Sequence, residues 1–151
     1  MVSEGTAAPD FELTADSGEQ VKLSDFRGKP IVLYFYPRDD TPGCTTEACE
    51  FRDAYDRFRD QGVEVLGVSP DTEASHRKFK TKYELPFTLL ADPDHEAAEA
   101  YGVWKEKKNY GRTYEGVERS TFVIDAEGKV AKAMRGIRPA GHAAQVLETL
   151  R

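Results

Sequence analysis

Cysteine is scarce in this chain, with two residues in 151, at positions 44 and 49. That excludes a disulfide-dense scaffold, and a domain of this length buries roughly 70% of its unfolded surface without such staples. Histidine is as sparse, with three residues far apart. Neither type clusters with carboxylates in a structural-zinc pattern, so no metal is expected. Long apolar runs are missing too: the longest span a few residues, far short of the roughly 20 that cross a bilayer. The net charge is −6 and Lys and Arg form no block, which removes any electrostatic basis for binding nucleic acid or an anionic membrane. There is no glycine-rich phosphate loop and no haem or nicotinamide signature, so no cofactor is expected. No repeat, low-complexity tract or linker interrupts the chain, and 1–151 reads as a single domain. The start, Met-Val-Ser-Glu-Gly-Thr, lacks a basic-then-apolar leader, which points to the cytoplasm. Thiols there stay reduced, and a disulfide is usually transient and catalytic.

What is present is an alternation of short apolar strands and amphipathic helices. Val21–Leu23 follows a Ser17-Gly18 turn and reads as a strand. Ile31–Tyr36 is β-branched and aromatic throughout and is closed by Pro37, as a buried central strand should be. From Cys44 to Arg59, apolar residues recur at Ala48, Phe51, Tyr55 and Phe58, a helical spacing that stops before Gly62. Val63–Val68 and Phe87–Leu90 read as further strands. Asp71–Tyr83 reads as a surface helix capped by Asp71. Asp92-Pro93 opens a short helix to Tyr101, with proline in its first position. Lys105–Glu118 is polar and reads as a loop or irregular hairpin, with Lys105–Lys108 solvated. Thr121–Ile124 and Val130–Met134 flank the turn Asp125-Ala-Glu-Gly128 and predict a hairpin, and Pro139–Leu150 predicts a closing helix. The class is α/β: a mixed central sheet flanked by helices, with a hairpin extension at the N-terminus.

One segment stands where chemistry is usually placed. Pro37-Arg-Asp-Asp-Thr41-Pro-Gly43-Cys44 joins the carboxyl end of a buried strand to the start of a helix, where open α/β sheets bind ligands. Unpaired N–H groups and the helix dipole favour an anion there, and the thiolate is the reactive form of cysteine. A buried, inert thiol is the bland alternative. Cys49 lies five positions on. On an intact helix the two Cα atoms would stand ~8.6 Å apart, beyond the ~7 Å that a disulfide tolerates. If the pair bonds, the first turn or more must unwind; the bland alternative for Cys49 is a core thiol on the helix's apolar side, which geometry alone does not exclude.

These residues carry a resemblance. Pro37-x-x-x-Thr41-x-x-Cys44 matches the peroxiredoxin signature. The string from Tyr34 to Cys49 is similar to the bacterioferritin-comigratory-protein, or peroxiredoxin Q, subfamily. Similarity continues through Gly62–Ser69, Phe87–Asp92, Tyr101–Trp104 and Gly111–Phe122, nearly the whole chain. The resemblance implies a thioredoxin-like fold and a thiol peroxidase. In that reading Cys44 is the peroxidatic cysteine, which a hydroperoxide oxidises to a sulfenic acid. Cys49 is the resolving thiol, and the Cys44–Cys49 disulfide is reduced by thioredoxin or a similar dithiol protein. Thr41 bridges thiolate and peroxide; Pro37 closes one side of the pocket; Arg119 stabilises the thiolate and the leaving oxygen. Gly43 and Glu47 are supporting positions, Glu47 orienting Arg119. Relatives of this kind are often monomers, so a monomer is expected.

His76, His95 and His142 lie in polar segments and read as surface residues; Tyr101 and Trp104 read as packing residues. Two rival functions remain distinct. A thiol–disulfide carrier usually employs Cys-x-x-Cys, and that spacing is absent. A redox-sensing or chaperone-like module needs a partner surface that the sequence does not display.

Overall fold

The structure, a computed structural model, describes residues 2–150. Strands β1 (Glu12–Ala15) and β2 (Gln20–Lys22) form a hairpin, and a single 3-10 turn (Leu23–Phe26) leads on to β3 (Ile31–Phe35). Helix α1 (Pro42–Asp60) is followed by β4 (Glu64–Ser69), α2 (Glu73–Tyr83), β5 (Thr88–Ala91) and α3 (Glu96–Ala100). Then come β6 (Trp104–Asn109), β7 (Arg112–Val117), β8 (Ser120–Ile124), β9 (Val130–Arg135) and α4 (His142–Thr149).

Seven strands form one mixed sheet in the order β2-β1-β5-β4-β3-β8-β9. β3, β4 and β5 run parallel at its centre, and β1 and β8 flank them antiparallel. The expected α/β class and N-terminal hairpin are therefore present. Alternation along β3 divides the core. Ile31, Leu33 and Phe35 pack on one face with Leu66, Val68, Tyr101 and Phe122. Val32, Tyr34 and Tyr36 pack on the other with Phe51 and Phe58 of α1, Phe79 of α2 and Val146 of α4. The period of two along a strand makes this two-sided burial possible. Gly67 on β4 is required by close packing: a Cβ there would stand 2.9 Å from Leu89 and 3.0 Å from the Tyr34 ring.

Several boundaries differ from the sequence reading. Helix α2 is capped by Thr72, whose hydroxyl accepts from the Ser75 N–H at 3.2 Å. Asp71 is drawn away because its carboxylate accepts from the Asp39 N–H and the Ser69 hydroxyl, each at 2.7 Å. Helix α3 starts at Glu96, because His95 takes a left-handed conformation just before it (φ 48°). Asp92 caps it from a distance, accepting from the N–H groups of Ala97 and Ala98. Pro93 thus lies outside the helix.

The segment read as a loop or irregular hairpin is a regular antiparallel hairpin of two six-residue strands, β6 and β7, forming its own small sheet. Lys105 and Lys107 are half-buried within it, so the 105–108 stretch is not a solvated loop. The histidines depart furthest from expectation. His76 and His142 are buried, at 0% and 1% exposure, and His95 is half-buried against Trp104, ring stacked on ring at 4.0 Å. Tyr101 is a packing residue as expected, fully buried between Phe35 and Phe122.

Candidate active site

The parallel strand β3 delivers the chain to the top of the sheet, and α1 begins seven residues after it ends. Between them, Pro37 is half-buried and residues 38–41 make a tight passage. Asp40 takes the left-handed conformation, φ 56°, which Asp tolerates better than most residues. Thr41 is the N-cap residue of α1, with extended backbone and no side-chain cap bond; Pro42 opens the helix. The Thr41 hydroxyl donates to the Arg38 carbonyl at 2.9 Å. The bland local role of that hydroxyl is thus occupied, while its lone pairs remain able to accept.

Helix α2 holds this passage in place. Asp39 is buried, and its Oδ1 accepts from the Tyr36 hydroxyl at 2.6 Å. Its Oδ2 accepts from the Ser75 hydroxyl at 2.8 Å and lies 2.7 Å from His76 Nδ1. The other ring nitrogen of His76 meets the Leu90 carbonyl at 3.0 Å. Asp40 accepts from Lys82 Nζ and from the Tyr83 hydroxyl, both at 2.7 Å. None of these partners was legible in the sequence.

Cys44 follows in the first turn of α1, 2% exposed and unpaired in a disulfide; Cys49 is free and half-buried. Arg119, between β7 and β8, reaches both Cys44 and the acid one turn further along α1. Its Nη2 donates to Cys44 Sγ at 3.2 Å and its Nη1 to Glu47 Oε1 at 2.6 Å. The three side chains expected to cooperate, Cys44, Glu47 and Arg119, are therefore brought together. Gly43 gives the guanidinium room, since a Cβ there would stand 3.2 Å from Arg119 Nη2.

Electrostatics in this cluster are set by burial. Glu47 is wholly buried, and burial pushes its carboxyl up to about 7 against the pull of Arg119. Burial works against the charge of Arg119 too, but Glu47 and Cys44 beside it outweigh that and hold it above its ordinary value. Burial lowers the Lys107 ammonium, with Arg119 adding to the effect. Two buried polar atoms lack a hydrogen-bond partner here, Glu47 Oε2 and the Tyr34 hydroxyl. His142 sits behind the site: its Nε2 meets the Thr121 hydroxyl at 2.7 Å and its Nδ1 the side-chain amide oxygen Oε1 of Gln145 at 3.1 Å. Burial lowers the imidazole. Among the described residues no group of three or more His, Cys, Asp or Glu could hold a metal ion, and no helix is long and apolar enough to cross a membrane.

The chain is similar to known proteins over nearly its whole length. The AhpC/TSA family model matches residues 5–133. Peroxiredoxin Bcp of Bacillus subtilis is 56% identical over 147 residues, covering 97% of this chain and 94% of its own. Peroxiredoxin Bcp of Escherichia coli is 44% identical over the same shares. Among solved structures, Xanthomonas campestris peroxiredoxin Q superposes with a TM-score of 0.89 at 42% identity, covering 93% of this chain and 89% of the other. A cysteine-to-serine variant of Xylella fastidiosa PrxQ reaches 0.94 at 36% identity, covering 99% and 96%. The chain belongs to the AhpC/TSA family, among the Bcp and peroxiredoxin Q proteins, and is a thioredoxin-like thiol-dependent peroxidase.

Proposed function

We propose that Cys44 is the peroxidatic thiol, that Cys49 resolves it, and that the substrates are hydrogen peroxide and organic hydroperoxides. The observation that carries this reading is the 3.2 Å contact from Arg119 Nη2 to Cys44 Sγ at the mouth of a strand–helix junction. A guanidinium aimed at sulfur favours thiolate over thiol, and thiolate is the nucleophile. The sulfur attacks the distal peroxide oxygen, the O–O bond breaks, Cys44 becomes a sulfenic acid and the proximal oxygen departs to be protonated. Arg119 stabilises the charge that develops on that oxygen. Thr41 uses its free lone pairs to accept the peroxide O–H, and Pro37, which has no N–H to offer, closes the pocket wall. Support for organic substrates comes from a neighbour at TM-score 0.92, a Xanthomonas campestris bacterioferritin comigratory protein whose structures address alkyl peroxide reduction.

The Cys49 thiol then condenses with the sulfenic acid, giving a disulfide and water. Both cysteines lie on the intact helix α1 and are free, so this step requires the first turns of α1 to unwind. Thioredoxin or a similar dithiol protein reduces the disulfide. The enzyme works as a monomer in the cytoplasm, where thiols are kept reduced. Steady-state peroxide consumption driven by a thioredoxin system tests the assignment. Wild type turns over and Cys44→Ser does not; full turnover by Cys44→Ser would refute it.

A further inference from the structure

Two acids share one largely buried cation in this site. Arg119 donates one nitrogen to Cys44 and the other to Glu47. Glu47 is 0% exposed and the Arg119 side chain 13%. A single guanidinium balances one anion. Ionising both acids would leave an extra charge in a water-poor pocket, with Glu47 Oε2 carrying part of it and no donor to meet it. The groups facing the pair do not supply that donor. Tyr34 Oη, on β3, is itself without a partner. Glu50, on α1, is a like charge that raises Glu47 further. Lys107, on β6, interacts with Arg119 and Cys44, and its ammonium is disfavoured there.

We propose that Cys44 and Glu47 hold one proton between them, that it resides on Glu47 while Cys44 is a thiolate, and that oxidation of the sulfur expels it to the departing oxygen. The balance closes without the solvent. Thiolate, protonated Glu47 and hydroperoxide give sulfenic acid, ionised Glu47 and an alcohol (or water, from hydrogen peroxide). The S–O bond forms as the O–O bond breaks; sulfur is oxidised by two electrons and the peroxide reduced by two. The loss of charge at sulfur leaves Arg119 to Glu47 alone, and the carboxylate becomes the guanidinium's counter-ion. When the thiol is regenerated, its proton returns to Glu47. The tendency of Glu47 to titrate near neutrality, with burial the leading cause, agrees with this role. The pair titrates as a unit, so the proton belongs to the couple and not to either residue taken singly. Glu47 thus stores the proton as well as positioning Arg119. This inference rests on Cys44 being the peroxide-reactive thiol.

The test combines infrared difference spectroscopy, thiolate ultraviolet absorbance and proton counting with an indicator dye, at about pH 8, where an uncoupled Glu47 would be mostly ionised. Reduced wild type should show thiolate together with a protonated carboxyl band. Addition of hydrogen peroxide should remove both, with almost no proton drawn from the buffer. Glu47→Gln should lack the band and draw about one proton per Cys44 oxidised. In Cys44→Ser, where Glu47 has Arg119 to itself, the band should be absent at the same pH; this arm does not depend on the Gln variant folding. Three results overturn the inference: thiolate without the carboxyl band in wild type, a reduced protein whose proton sits on sulfur, or a carboxyl band that persists in Cys44→Ser. Each is separable from failure of the peroxidase assignment, in which Cys44 would form no sulfenic acid at all.

Discussion

Asp39 and His76 stand 37 residues apart in the chain and meet at 2.7 Å in the interior, Oδ2 to Nδ1, both side chains almost free of solvent. The contact ties the passage before Cys44 to helix α2. Replacing His76 with Ala leaves the Asp39 carboxylate buried and short of a partner. Losing a hydrogen bond to a charged group typically costs about 1.5–3 kcal/mol. Urea unfolding of His76→Ala should show destabilisation of that order, and the second-order rate of Cys44 oxidation should fall as residues 38–41 loosen. Near-wild-type values for both would show that α2 does not hold the passage.

Arg119→Ala removes the donor to sulfur and the counter-charge of Glu47 together. The rate of Cys44 oxidation should drop on the order of 10²-fold, the usual effect of deleting one charge-stabilising donor. The thiolate absorbance of Cys44 should persist only at higher pH than in wild type. Arg119→Lys should recover little, because a single ammonium cannot donate in the fork that reaches Cys44 and Glu47 at once. Stopped-flow fluorescence and ultraviolet titration read both quantities. A thiolate titration unchanged in Arg119→Ala would contradict the assigned role.

Glu47 makes stability depend on pH in a defined sense. Its folded-state carboxyl lies at about 7, above the ordinary 4.5, with burial as the leading cause. Between those values the folded protein binds more protons than the unfolded chain, so stability falls as pH rises through that window and levels off above it. The full effect is at most about 3 kcal/mol. Urea denaturation of Cys44→Ser, with and without Glu47→Gln, isolates it. The Gln variant should gain relative stability across that window, and a flat difference would show that Glu47 is not perturbed.

Gly43→Ala places a methyl where Arg119 Nη2 would lie 3.2 Å away and Pro139 Cγ 3.4 Å away. The flexible guanidinium is the part able to yield. Overall stability should change by less than about 1 kcal/mol, while Cys44 oxidation slows several-fold because the donor is displaced. Equal loss of stability and rate would point to a general packing defect instead.

The parts of this molecule that were legible in the sequence are those set by local periodicity and turn chemistry. Ile31–Phe35 is apolar at every position and became the central strand; α1 follows the spacing of Ala48, Phe51, Tyr55 and Phe58. The Cys44–Arg119 contact was expected from resemblance, since residues 75 positions apart leave no local trace. His76 misled because its neighbours Arg77 and Lys78 are exposed, while the helix turns His76 itself inward towards Asp39. Asp71 looked like a cap, but the tertiary bond from the Asp39 N–H claimed its carboxylate. The β6–β7 hairpin was obscured by its polarity: four of the six residues from Trp104 to Asn109 are Lys or Glu, and such a sequence carries little apolar alternation.

Cys49→Ser should leave the first oxidation intact, stall turnover with a dithiol reductant, and accumulate sulfinic acid under excess peroxide, because the sulfenic acid has no thiol to condense with. Retained reductant-driven turnover would remove Cys49 from the cycle.

Intact-mass analysis of the reduced protein after one equivalent of hydrogen peroxide bears on the cysteine pair most directly. The account predicts that wild type loses two hydrogens, that Cys49→Ser gains one oxygen, and that Cys44→Ser is unchanged. A single added oxygen on Cys44→Ser, or wild type that remains fully reduced, would contradict it.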